Sequence, residues 1–140
     1  MRQGEVVELE IPSAPEYVLI VRQAVEGLAR RMDFAPAQVE DIKLAVGEAC
    51  TNAVKYACPK DEGSHVGVKC VVAADGLMVE IRNSIAGFDF PEVPTQPDLS
   101  REGGLGLYLI KQLVDEVHIC WERETATVRM LKRFDPAPAL

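Results

Sequence analysis

A chain of 140 residues with 48% hydrophobic and 26% charged side chains has the composition of one globular domain with a real core, which excludes intrinsic disorder as the default. Its net charge of −7, with no lysine or arginine cluster, argues against nucleic acid and against an anionic membrane surface as partners. No apolar run approaches the roughly 18 residues of a membrane span, and the opening MRQGEVVELEIP carries acids where a signal peptide needs an apolar stretch, so a cytoplasmic location is expected.

In chain order, VVELEI (residues 6 to 11) alternates Val7, Leu9 and Ile11 with polar neighbours and predicts a first strand, ended by Pro12. SAPE (13 to 16) has the S-x-x-E spacing of a capping box and opens an amphipathic helix that runs to about Met32. After the connector DFAPAQ, apolar residues at Val39, Ile42, Ala45, Val46, Ala49, Cys50, Ala53, Val54 and Ala57 follow the 3.6-residue period of a second helix lying on a core. Pro59 and the polar KDEGS segment cannot continue it. HVGVKCVVAADGLMVEIRN then predicts a hairpin joined at Asp75-Gly76, a dipeptide suited to positive φ.

From Gly87 to Gly104 the chain is irregular and proline-rich, as in a lid or binding loop. Helical spacing resumes at Leu105, Leu107, Leu109, Ile110, Leu113 and Val114, and VHICWERETATVRMLKRF forms a second hairpin with its turn near Glu122 to Thr125. Because the strands come as hairpins and not as β-α-β units, the expected fold class is α+β: a two-layer α/β sandwich with an antiparallel or mixed sheet and helices on one face. One domain is expected over residues 1–134, followed by a flexible tail at 135–140. The four cysteines, Cys50, Cys58, Cys70 and Cys120, form no C-x-x-C pair, so neither a zinc site nor a disulfide framework is expected, and His65 and His118 stand alone and receive no catalytic role.

Two places in this pattern carry chemistry. In EACTNAVKYA (48 to 57), Glu48 and Asn52 are four residues apart and point the same way along the border of the apolar stripe. A carboxylate and a carboxamide at such an edge can hold a metal ion or position a hydroxyl, although a hydrated helix flank has the same appearance. Further on, Gly103, Gly104 and Gly106 lead from the irregular segment into a helix. Backbone N–H groups at the positive end of a helix dipole suit phosphate, although glycines before helices are also plain turns and the spacing fits neither the P-loop nor the Rossmann pattern.

Taken together and in this order, EACTNAVKYA and EGGLGLYLIKQLVDEV resemble the GHKL (Bergerat-fold) ATPase superfamily and most closely the RsbW-type anti-sigma-factor serine kinases. The similarity extends through IPSAPEYVLIVRQAVEGLARRMDF and EDIKLAVGEACTNA and so covers nearly the whole chain. The resemblance implies ATP and Mg²⁺ as cofactors, with Asn52 as the metal ligand and Glu48 as the general base toward a substrate serine. It implies phosphate-cradling amides at Gly103, Gly104, Leu105 and Gly106, a reach to the γ-phosphate by Arg101, and a share in holding adenine for Thr127. It also implies the partners: a sigma factor, a STAS-type anti-sigma antagonist as phosphorylation substrate, and a second copy of the chain in a homodimer.

One departure from the family pattern lies after the first hairpin. Relatives carry D-x-G-x-G, whose Asp accepts from the adenine amino group, whereas this chain reads Asn83-Ser84-Ile85-Ala86-Gly87. Asn83 still offers a carbonyl oxygen but loses the charge assistance, and Ile85 adds bulk where glycine is usual. The two functions left open are an ATP-dependent protein-serine kinase that sequesters a sigma factor, and a non-catalytic regulator-binding module with a weakened nucleotide pocket. The intact Glu48, Asn52 and glycine-rich segment favour the kinase.

Overall fold

The computed structural model describes residues 1–55, 64–84, 104–122 and 125–135. Strand β1 (Val6–Pro12) is followed by a single 3-10 turn (Pro15–Tyr17) and by helices α1 (Val18–Arg31) and α2 (Pro36–Lys55). Strands β2 (His65–Ala73) and β3 (Gly76–Ser84), helix α3 (Gly104–Leu113) and strands β4 (Glu116–Glu122) and β5 (Thr125–Arg133) complete the order. The five strands form one sheet in the order β1-β2-β3-β5-β4, antiparallel throughout. The α+β sandwich expected from the hairpin pattern is therefore the observed fold.

Alternation explains why the helices lie on one side. Val66, Val68, Cys70 and Val72 of β2, Leu77, Val79 and Ile81 of β3, and Ala126, Val128 and Met130 of β5 are all buried and recur at every second position, so they share a face. Onto that face pack Val21, Val25 and Ala29 of α1, spaced four apart, and the long apolar stripe of α2. Helix α2 is the middle helix, flanked by α1 and α3. The other sheet face has no such stripe. Its register aligns Glu8, Lys69, Glu80, Arg129 and His118 in one row across all five strands, with charges alternating from Glu8 to Arg129. Within that row the Arg129 guanidinium donates from Nε and approaches Glu80 Oε1 with Nη2, at 2.8 and 2.6 Å. Opposite charges on neighbouring strands are favourable cross-strand pairs.

Two local expectations fail for tertiary reasons. The Ser13–Glu16 capping box does not form: the 3-10 turn precedes α1, no side chain caps either element, and Ser13 Oγ instead pairs with Ser64 Oγ at 3.1 Å. At the first hairpin, residues 74 and 75 make the turn and Gly76 already belongs to β3, opposite Ala73, without a positive φ. Gly76 is required for a different reason, because a Cβ there would lie 2.0 Å from the Lys132 carbonyl oxygen. Helix α1 stops where Asp33 adopts the left-handed conformation, φ 64°, at the position after the C-cap. Of the expected C-terminal tail only Asp135 is described, and no helix among the described residues is long and apolar enough to cross a membrane.

Candidate active site

Helix α2 brings the first two site residues into place. Seven residues of its expected stripe, Val39, Ile42, Ala45, Val46, Ala49, Cys50 and Ala53, are buried, and four of these are alanine or cysteine, which lets its neighbours approach closely. Asn52 lies deeper than the border position expected of it, at 4% exposure, while Glu48 one turn earlier is half-buried.

The buried polar residues among those described are Gln38, Asn52, Glu80 and Asn83, and three of them have evident partners. Glu80 is held by Arg129, Gln38 Nε2 donates to the Arg133 carbonyl at 2.9 Å, and Asn83 Nδ2 donates to the Ala53 carbonyl at 2.9 Å. Asn52 Nδ2, by contrast, is buried with no hydrogen-bond partner. Arg22 Nε is the other buried side-chain donor without a partner among the described residues; leaving such a donor unpaired costs about 1–3 kcal/mol, and of the two only the Asn52 amide lies beside Gly106, where it is available to an acceptor atom.

Helix α3 closes the site from the other side. A Cβ built at Gly106 would lie 2.9 Å from Glu48 Oε2, 3.4 Å from Asn52 Nδ2 and 3.7 Å from Asn52 Oδ1. Glu48, Asn52 and Gly106, singled out in two separate sequence segments, thus meet in the seam between α2 and α3. Gly106 is in the first turn of α3, which begins at Gly104, so the N–H groups of Gly104, Leu105 and Gly106 are among those that an α-helix leaves without internal partners. Carboxylate and carboxamide therefore meet at the first turn of α3, and a helix N-terminus beside such a pair is an arrangement suited to a phosphate with its metal ion.

The remaining candidates are distributed unevenly. Asn83 is buried at the end of β3 against the last turn of α2, within one residue of Asn52 in its backbone contact. Thr127 is not brought to the site: it lies between buried Ala126 and Val128 and faces the helix-free side of the sheet, in a hollow shared with Glu80, Arg82, Cys120 and Arg129. Its expected contact with a base is thereby corrected, because the register of β5 turns the neighbouring Ala126, not Thr127, toward the helices. Gly87, Arg101 and Gly103 lie outside the described residues, as do Ile85 and Ala86.

One contact at the back of α2 escaped sequence reading. Arg22 of α1 crosses α2 over Gly47, where a Cβ would meet Arg22 Cδ at 3.0 Å. A glycine inside a helix of 20 residues, costly by roughly 0.5–1 kcal/mol relative to alanine, was the available signal of such a close approach. The buried thiols are chemically quiet. Burial pushes Cys50 up to about 12, with a smaller contribution from Cys70 nearby, and burial pushes Cys70 itself up to about 11. Neither supplies a thiolate at neutral pH. Among the described residues no group of three or more His, Cys, Asp or Glu could hold a metal ion by itself.

Residues 11–132 match the family described as the histidine kinase-like ATPase domain, so the fold and the site together define this chain as an ATPase domain of that class. Within the class it belongs to the RsbW family of serine-protein kinases. It is 39% identical over 138 residues to the serine-protein kinase RsbW of Bacillus subtilis, with 92% of this chain and 86% of that one covered. It is 41% identical over 135 residues to the RsbW of Bacillus velezensis, covering 90% and 84%. Among solved structures, the RsbU and RsbW domains of a Mycobacterium tuberculosis protein share the fold with a TM-score of 0.72 at 16% identity, over 97% of this chain and 34% of that one. The histidine kinase domain of a blue-light activated kinase from Erythrobacter litoralis shares it with a TM-score of 0.57 at 19% identity, over 96% and 65%.

Proposed function

We propose that this chain is a cytoplasmic anti-sigma factor that transfers the γ-phosphoryl group of ATP to a serine of a STAS-type antagonist and that sequesters a sigma factor while the antagonist is phosphorylated. The observation that carries the reading is the meeting of Glu48, Asn52 and Gly106 in the α2–α3 seam, with the Asn52 amide unpartnered. In the chemistry, the serine Oγ bonds to the γ-phosphorus as the bond from that phosphorus to the β–γ bridging oxygen breaks. ADP departs, and the serine proton passes to the Glu48 carboxylate. The first-turn amides of α3 donate to phosphate oxygens.

The residues present fit Mg²⁺. Asn52 Oδ1 is a hard oxygen donor of the kind Mg²⁺ takes, no protein group among the described residues donates to it, and the unpaired Nδ2 beside it is a donor suited to a phosphate oxygen and not to the metal. Asn52 would hold it, and bound there it would neutralise charge on the phosphates. Asn83, whose nitrogen is already given to Ala53, retains Oδ1 as an acceptor for the adenine amino group. Gly87, Arg101 and Gly103 take their proposed nucleotide contacts from the family pattern. A homodimer is supported by apolar side chains left exposed on the edge strand and first helix, Val6, Val7, Leu19 and Ile20.

Nucleotide titration with ATP, ADP and GTP, each with and without Mg²⁺, combined with phosphate transfer to a STAS-domain protein, tests the reading. Mg²⁺-dependent ATP binding and a phosphoserine on the acceptor are expected. Sigma-factor binding with no phosphate transfer would leave only the regulator-binding part. Sedimentation at micromolar protein decides the dimer, which a strictly monomeric result removes.

A further inference from the structure

Helix α2 carries both Glu48 and Asn52, so the precision of the site depends on how that helix is fixed to the sheet. Two buried carboxamides fix it, one near each end. Gln38, in the first turn, donates from Nε2 to the carbonyl of Arg133 at the end of β5, 2.9 Å away. Asn83, at the end of β3, donates from Nδ2 to the carbonyl of Ala53 in the last turn, also 2.9 Å away. The two points of attachment are 15 residues apart on the helix, about 22 Å at 1.5 Å per residue. Ala53 stands two residues before Lys55, where the described part of α2 ends, and its carbonyl takes this hydrogen bond from outside the helix.

Only the second attachment touches the site. Ala53 is adjacent to Asn52, and a shift of the last turn moves the Asn52 carboxamide relative to Gly106 of α3, which stands 3.4 Å (as Cβ) from Asn52 Nδ2. We infer that Asn83 is a positioning residue: its amide N–H holds the last turn of α2, and with it Asn52, in place against β3 and α3. This function needs asparagine. An ionised aspartate at position 83 has only acceptors and would face the Ala53 carbonyl with none of the required hydrogen. The departure from the aspartate pattern is thus a gain of a tether and not only a loss of charge at the base pocket. The inference rests on the kinase reading for its consequence, though not for the tether itself.

The test compares Asn83→Asp, Asn83→Ala and Gln38→Ala in the full chain. In nucleotide-free protein, amide hydrogen exchange around Asn52 to Lys55 is expected to accelerate about tenfold or more in both Asn83 variants, the scale set by loss of one buried hydrogen bond. Exchange in the first turns of α2 should stay unchanged. Gln38→Ala should give the reverse pattern. At saturating ATP, the Mg²⁺ concentration giving half-maximal binding should rise about tenfold in both Asn83 variants and remain at the parent value in Gln38→Ala. Loss of an adenine contact alone would raise the ATP requirement without moving the Mg²⁺ midpoint, and that result would overturn the positioning role. So would unchanged exchange at Asn52 to Lys55. Asn83→Ala introduces no buried charge, so it decides the matter if Asn83→Asp does not fold. Absence of Mg²⁺-dependent binding in the parent itself would count against the kinase reading, and the exchange pattern would still decide the tether.

Discussion

Gly106 of α3 and Glu48 of α2 stand so close that a methyl group at position 106 would lie 2.9 Å from Glu48 Oε2. Gly106→Ala therefore sets two effects against each other. Alanine is favoured over glycine in a helix by roughly 0.5–1 kcal/mol, and the atom it meets is the end of a movable side chain, so stability should change by no more than about 1 kcal/mol. The carboxylate, however, must move. Phosphoryl transfer is expected to fall at least about tenfold, since small misplacements of catalytic groups are costly. Melting curves and single-turnover transfer on the same preparation check this, and a variant as active as the parent would remove Glu48 and Gly106 from one functional unit.

Glu48→Gln keeps the shape of the side chain and removes its capacity to take a proton. Nucleotide affinity should persist while transfer to the acceptor serine slows by roughly 10²-fold or more. Unchanged turnover would assign the proton to another acceptor.

Asn52→Ala deletes a carboxamide whose nitrogen is buried without a partner. Because no protein hydrogen bond to that nitrogen is lost, the melting temperature should hold or rise slightly, while Mg²⁺-dependent ATP binding disappears. Calorimetry with and without Mg²⁺ measures the second effect. Parent-like Mg-ATP binding would show the metal assignment to be wrong.

The buried thiols predict alkaline sensitivity. In the folded chain Cys50 is pushed up to about 12 and Cys70 to about 11, whereas an unfolded thiol ionises near about 8.5. Above that value the unfolded state holds fewer protons than the folded one, so this contribution is fully present below about pH 8.5 and is lost as pH rises through the folded values. The urea midpoint should fall between pH 8 and pH 10, and Cys50→Ala combined with Cys70→Ala should flatten the decline. At pH 8 a thiol reagent should label exposed Cys120 and spare both buried positions until urea unfolds the chain.

Gly76→Ala is expected to destabilise the fold by roughly 2 kcal/mol or more, because the new methyl group would meet the Lys132 backbone and not a movable side chain. Urea unfolding at constant m value reads this directly.

How much of this was legible beforehand depends on the distance over which each feature is decided. The stripe of α2, the alternation in β2 and β3 and the glycines before α3 are local periods, written in consecutive residues, and from them the elements, their order and the candidates Glu48, Asn52 and Gly106 could be read. What each polar atom meets was not local. Asn83 reaches Ala53 across 30 residues and Ser13 reaches Ser64 across 51, so neither the tether of α2 nor the failure of the capping box had a signal in its own neighbourhood.

Thr127 shows the same division within a single strand. That β5 is a strand follows from its residues, but which of Thr127 and Ala126 turns toward the helices depends on pairing with β3, where a slip of one residue exchanges the two faces. The sequence by itself determined the helices, the hairpins and the residue types available for phosphate chemistry, since backbone periodicity and side-chain character are properties of the chain. Only the tertiary structure decided which of those residues share a site. It placed Gly106 against Glu48 and Asn52 and gave the Asn83 amide to the Ala53 carbonyl. It also left the Asn52 nitrogen buried without a partner, because packing among distant elements chooses the neighbours of every buried polar atom.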